Sequence, residues 1–167
     1  RAPDYGRLKE YAPFSFTTEE TGGIIGNGDI TMDWIVHVLK RTVDTQYRTK
    51  ADRRHTFLAG SSMGGLMTLY GLLVYPEVFS RGAALSPSLW IDAEKVKAMI
   101  RHARVKRNTV LYMDYGALEF ADHPHSRSLF AEVSALLIEK RVLLNSRIVP
   151  RGTHCEASWE KQIPFFM

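Results

Sequence analysis

Ser62 stands between Gly60 and Gly64 in the run Gly60-Ser61-Ser62-Met63-Gly64-Gly65, a G-x-S-x-G arrangement. The run follows the short segment His55-Thr56-Phe57-Leu58-Ala59. It opens a stretch in which Leu66, Leu69, Tyr70 and Leu73 recur at helical spacing until Pro76 stops it. Strand, tight turn, helix is the setting in which a serine hydroxyl is thrust clear of the backbone at the head of a helix. The flanking glycines are expected to be required because a Cβ at either would clash across the turn. The chemistry such a turn supports is acyl transfer, with Ser62 as nucleophile. The backbone N–H of Met63, at the positive end of the helix, would stabilise the developing oxyanion. The bland alternative is a structural glycine turn.

A serine hydroxyl is a weak nucleophile without a base, usually histidine, and the base needs an orienting carboxylate. In an open parallel sheet all three belong beyond the carboxyl ends of strands. Six histidines compete. His37 lies inside a helical pattern, His55 at the start of a strand and His102 on a basic helix. His123 and His125 follow the third strand at a distance, near a helix start. His154, in Pro150-Arg151-Gly152-Thr153-His154, comes directly after the fourth strand and is the expected base. For the acid, the third strand ends near Asp114, and Glu119 follows in Tyr115-Gly116-Ala117-Leu118-Glu119. Glu119, read as a loop residue, is favoured. Asp114 and Asp122 are the alternatives, and a helix cap is the other role open to these carboxylates. The resulting order, Ser62, Glu119, His154, differs from both protease orders.

The elements that must position these residues alternate. Residues 1–28 read as irregular, with Pro3, Pro13, Gly22, Gly23, Gly26 and Gly28 marking loops. Gly26-Asn27-Gly28 lacks the rest of a dinucleotide or P-loop signature and reads as a flexible surface loop. A helix is expected from Asp29, with Asp29 or Thr31 as N-cap and Ile30, Trp34, Val38 and Leu39 on one face. Strands are expected over 55–61, 81–89, 109–113 and 147–149. Helices are expected over 63–75, 92–104, 126–141 and from Glu156, the third with Leu129, Phe130, Val133, Leu136 and Leu137 on one stripe. Four alternations imply an α/β fold with a mostly parallel sheet and helices on both faces.

The chain has 167 residues, 45% of them hydrophobic, enough for a single domain with a real core. Net charge is +4. The dense basic stretch Lys95, Lys97, Arg101, Arg104, Lys106 and Arg107 carries no nucleic-acid motif and no interleaved aromatics, so a solvated helix face is expected there and no nucleic-acid partner. The charge mildly favours anionic substrates. The single cysteine, Cys155, excludes a disulfide framework and a paired metal site, and no metal or cofactor is implied. No apolar run approaches a membrane span, so no membrane partner is expected. No signal peptide is visible, and the compartment stays open with the cytoplasm slightly favoured. Both ends, Arg1 and the apolar run Ile163-Pro164-Phe165-Phe166-Met167, read as cut, so the chain is expected to be part of a longer protein.

Several segments together resemble the putative-esterase family of α/β-hydrolases, which includes siderophore (enterochelin) esterases, feruloyl esterases, S-formylglutathione hydrolases and mycolyltransferases. They are Gly60-Ser61-Ser62-Met63-Gly64-Gly65-Leu66, Tyr75-Pro76-Glu77-Val78-Phe79, and Leu85-Ser86-Pro87-Ser88-Leu89-Trp90. Glu10-Tyr11 and Tyr47-Arg48-Thr49 look like it too. Gly152-Thr153-His154-Cys155-Glu156-Ala157-Ser158-Trp159 is similar to the family's G-x-H-x-E-x-x-W segment around its histidine. Tyr115-Gly116-Ala117-Leu118-Glu119 is similar to its G-T-x-E segment around its acid, with Ala117 where threonine is common. The likeness spans nearly the whole chain.

The resemblance implies an α/β-hydrolase fold lacking its N-terminal strands, since family members carry further strands before the serine turn and take the second oxyanion donor from a loop there. An exposed sheet edge and weak activity or stability are expected to follow. It implies a serine ester hydrolase acting through an acyl-enzyme on a small-molecule carboxylic ester, of siderophore, carbohydrate or aryl type, with glutathione thioesters also open. An acyltransferase using the same three residues, and a non-catalytic binding protein on the same fold, remain as alternatives. Trp90 either lines a pocket or packs in the core. The oligomeric state is left open.

Overall fold

The computed structural model describes residues 6–18, 22–122 and 125–167; of Asp122 it describes the backbone only. The expectations placed on Pro3, on His123 and on the Asp122 side chain lie outside the described residues.

The described residues before Asp29 are more regular than their glycines and prolines suggest. Helix α1 (Gly6–Tyr11) is followed by an antiparallel pair, β1 (Phe16–Thr18) and β2 (Gly22–Ile24), with Phe16 opposite Ile24. The Gly26–Gly28 turn is not a free loop. Its backbone lies against Ala12, whose carbonyl accepts the Gly28 N–H at 2.7 Å, and Gly28 is buried.

Helix α2 (Gly28–Trp34), a π-turn (Ile35–Leu39) and α3 (Lys40–Gln46) run on as one rod. Asn27 precedes the first turn without a side-chain cap bond, and Asp29 lies inside that turn, so neither Asp29 nor Thr31 is the cap. The face expected to pack is inverted. Ile30, Trp34, Val38 and Leu39 are exposed, while Met32 and Val36 enter the core. The apolar stripe predicted correctly that a helix forms here, but the covering surface, α4 (Met63–Val74), lies on the Met32 side.

From β3 (Phe57–Ser61) onward, strand and helix alternate. After α4 come β4 (Arg81–Leu85), α5 (Ala93–His102), β5 (Val110–Gly116), the short α6 (Glu119–Asp122), α7 (His125–Glu139), β6 (Leu143–Val149) and α8 (Glu156–Trp159), which passes into a 3-10 turn to Phe165. The four strands form one parallel sheet in the order β3-β4-β5-β6. Right-handed crossovers between strands laid down in sequence order put the connecting helices α4, α5 and α7 on one face. Side-chain alternation along the strands agrees. Ala84, Leu111, Met113 and Tyr115 join the main core with Leu66, Leu69, Val96, Ile100, Phe130, Val133 and Leu137. Ala83, Leu85 and Tyr112 point the other way, to Trp159 and Phe166 of the C-terminal segment. Helices thus flank both faces, unequally. Among the described residues β3 pairs with β4 alone and forms an edge, and Phe57 on it is 55% exposed.

Strand limits differ from expectation where the chain leaves the sheet. β4 stops at Leu85 because Ser86 turns to a positive φ of 41°. β5 and β6 run longer, so that Asp114 lies within the sheet, in register with Leu85. Three residues of the basic stretch are in ion pairs: Lys97 bridges Glu94 and Glu132, Lys95 meets Asp92, and Lys106 meets Glu77.

Candidate active site

The serine turn is a strained joint. Ser62 has φ 56° and ψ −121°, a conformation that side-chain-bearing residues rarely adopt. It persists because the neighbouring strand end holds it: Ser62 N–H donates to Leu85 O at 2.9 Å, and Ser88 N–H donates to Ser62 O at 3.1 Å. Gly60 lies so close to Gly64 that a Cβ would fall 2.5 Å from the latter's carbonyl carbon. The converse expectation fails, since a Cβ on Gly64 would meet nothing within 4 Å. The crowding is one-sided because Cβ at 60 points into the head of α4, whereas Cβ at 64 points out of it. Met63 is the first residue of α4, so its N–H has no intrahelical acceptor.

Loops at the carboxyl ends of three strands bring Ser62, Glu119 and His154 into one line. His154, beyond β6, has Nε2 3.0 Å from Ser62 Oγ and Nδ1 2.7 Å from Glu119 Oε2. Glu119 opens α6 rather than lying in open loop. With Nδ1 donating to the carboxylate, Nε2 is left to accept the serine hydroxyl. Glu119 is buried, whereas the imidazole is 45% exposed and faces solvent. Burial alone would raise the Glu119 carboxyl; hydrogen bonds from His154, Ser86 and the Gly116 N–H outweigh it and hold the group below the ordinary glutamate value. Gly116 is needed for that approach, because a Cβ there would lie 2.6 Å from Glu119 Oε1.

The other candidates are elsewhere. Asp114 is buried inside β5, where its carboxylate accepts from the Tyr112 hydroxyl at 2.8 Å and the Ser86 N–H at 3.2 Å. Burial pushes its pKa up, those bonds opposing and the nearby Glu119 charge assisting. His37 lies on the π-turn beside Asp33, His55 pairs with Asp52, His102 bonds Ala98 O, and His125 opens α7. Trp90 is half-exposed rather than packed in the core. A hollow of about 590 Å³ between the β1–β2 ribbon and α5 is lined by Phe16, Ile24, Ile91 and Lys95, and by neither Trp90 nor Ser62. Three polar contacts escaped the sequence: the Ser88 hydroxyl, 3.4 Å from Ser62 Oγ, and Ser86 and the Trp159 N–H behind Glu119. The Ser86-Pro87-Ser88 run, and Trp159 at the end of the segment resembling G-x-H-x-E-x-x-W, were the local hints of them. Among the described residues no three metal-ligating side chains converge, and no helix is long and apolar enough to cross a membrane.

A parallel sheet with a G-x-S-x-G turn at the carboxyl end of one strand, and a histidine beyond the last, defines an α/β-hydrolase fold. The putative-esterase family profile matches residues 19–164, and the chain belongs to that family. The chain is 35% identical over 78 residues to iron(III) salmochelin esterase of Escherichia coli O6:H1, a match covering 46% of this chain and 19% of the relative. Among solved structures, an IroE-like serine hydrolase from Shewanella oneidensis superposes with a TM-score of 0.77 at 19% identity, covering 95% of this chain and 54% of that one. The BES protein of Bacillus cereus gives 0.75 at 19%, covering 98% and 64%. The chain therefore spans between about half and two thirds of the length of these structures.

Proposed function

We propose that this chain carries the catalytic centre of a serine ester hydrolase. The observation that carries the reading is the unbroken contact from Glu119 Oε2 through His154 to Ser62 Oγ, at 2.7 and 3.0 Å. Ser62 Oγ bonds to the ester carbonyl carbon as its proton passes to His154 Nε2. Charge gathers on the carbonyl oxygen, beside the Met63 N–H at the head of α4. Glu119 holds the imidazole in place and offsets its positive charge. Collapse of the tetrahedral species breaks the carbon–oxygen bond to the alcohol, which leaves with the proton from His154. Water then adds to the acyl-enzyme by the same route, releasing the acid and restoring Ser62.

The substrate class we infer is a small carboxylic ester of siderophore or aryl type. It is supported by family membership and by the salmochelin esterase relative. The half-exposed imidazole suits a substrate that approaches from solvent.

Covalent labelling with a fluorophosphonate, read by intact mass, tests the reading. The expected result is one adduct on the parent chain and none on Ser62→Ala or His154→Ala. A folded parent chain that takes no adduct would overturn it and favour a binding role for the fold.

A further inference from the structure

Glu119 has a second oxygen, and that side of the carboxylate is fully engaged. Oε1 accepts the Gly116 N–H at 2.8 Å and the Ser86 hydroxyl at 2.7 Å. Ser86 Oγ in turn accepts the Trp159 indole N–H at 3.0 Å. An indole N–H can only donate, an ionised carboxylate can only accept, and a hydroxyl has one hydrogen. The direction is therefore fixed, from Trp159 through Ser86 to Glu119, and Oε2 is left to His154.

Two further features single this pair out. Ser86 is 1% exposed and held at φ 41°, a backbone position where glycine would sit with less strain, yet the residue there supplies a hydroxyl. Trp159 also meets the His154 ring edge-on, with centroids 4.9 Å apart and planes at 85°. One side chain at the end of α8 thus touches both the imidazole and the group behind its carboxylate.

We propose that Ser86 and Trp159 are positioning residues, a one-way donor relay that orients the Glu119 carboxylate toward His154 and packs the imidazole in the plane that Ser62 requires. This rests on the reading of Ser62, His154 and Glu119 as a catalytic unit, and adds what holds its acid in place. Bonds to a charged acceptor in a buried site are the strong kind, so their loss should be felt at the reacting end.

The test compares Ser86→Ala, Ser86→Gly and Trp159→Phe with the parent. Trp159→Phe deletes the N–H but keeps a ring against His154. Two readouts are taken: the low-field proton resonance of His154 Nδ1–H, assigned by its loss in His154→Ala, and fluorophosphonate labelling resolved into maximal rate and half-saturating concentration. In both Ser86 variants the resonance should broaden and the maximal rate fall about tenfold, with half-saturation unchanged. Trp159→Phe should move both readouts the same way by a smaller factor. Ser86→Gly relieves the backbone, so agreement between Ala and Gly assigns the loss to the hydroxyl rather than to unfolding. An unchanged resonance and rate in Ser86→Ala would overturn the proposal, as would losses that follow thermal stability and differ between Ala and Gly. If the parent takes no label but its His154 resonance is present and is lost on removing the Ser86 hydroxyl, the relay stands and the hydrolase reading falls.

Discussion

Gly60→Ala and Gly64→Ala make the same change on either side of Ser62, and opposite outcomes are expected. A Cβ on Gly60 would lie 2.5 Å from the carbonyl carbon and oxygen of Gly64 and 2.9 Å from its Cα. Carbon atoms are at ease near 3.5–4.0 Å, so about 1 Å must be found between β3 and α4. The obstructing atoms are backbone at the head of a helix, tied by the Leu66 N–H to Ser62 O at 3.1 Å, and cannot rotate away. Overpacking costs about 1–3 kcal/mol, and a backbone-on-backbone clash belongs at the top of that range, about 3 kcal/mol. For a chain of this size that lowers Tm by roughly 6–12 °C. Gly64→Ala meets open space, and alanine in a helix gains up to about 1 kcal/mol over glycine, so Tm should hold or rise by up to about 4 °C. Thermal unfolding followed by far-ultraviolet circular dichroism reads both, and urea unfolding at constant slope checks that stability alone has changed. Shifts of the same sign and similar size in the two variants would refute the one-sided picture of the turn.

Acid unfolding should respond in opposite senses to two neighbouring carboxylates. The folded-state pKa of Glu119 is depressed, so its contribution is present above the unfolded value of about 4.5 and lost as pH falls through the folded one; Glu119→Gln should flatten the acid-side loss of stability. The folded-state pKa of Asp114 is raised above 3.8, so its contribution is present at lower pH and lost as pH rises through the folded value; Asp114→Asn should steepen the acid-side loss. Denaturant midpoints taken across the acid range decide both, and slopes of the same sign would count against the assignment. Glu119→Gln should also slow fluorophosphonate labelling, toward the roughly 10⁴-fold loss that follows amidation of a triad acid, and a loss under about tenfold would exclude Glu119 as the orienting group. Leu69→Ala, at a fully buried site on α4, should cost about 3 kcal/mol by urea unfolding, and a cost below about 1 kcal/mol would mean the α4–sheet core is looser than described.

Local features were legible. The glycine-flanked serine, the helical run after it and the strand-helix alternation depend on backbone geometry and on periodicities of a few residues, and these the chain itself specifies. His154 and Glu119, which the structure brings into contact, were favoured over their rivals by their place after strands and by chain order, with Asp114 and Asp122 left as alternatives to Glu119. Which surfaces meet was not legible. The apolar stripe Ile30-Trp34-Val38 is as good a packing face as Met32-Val36, and the side turned to α4 is decided by where the rod docks. Asp114 lies in register with Leu85 inside the sheet and its carboxylate is taken up by the Tyr112 hydroxyl and the Ser86 N–H, partners that no local pattern states. Ser86 and Trp159 are 73 residues apart and become partners because β4 and the C-terminal helix end at the same corner. The amino-acid order determined the elements, their succession and the chemical groups at their ends. Tertiary structure alone decided which of those groups touch, because contacts between distant residues are set by packing and sheet register, to which single positions contribute only through the whole.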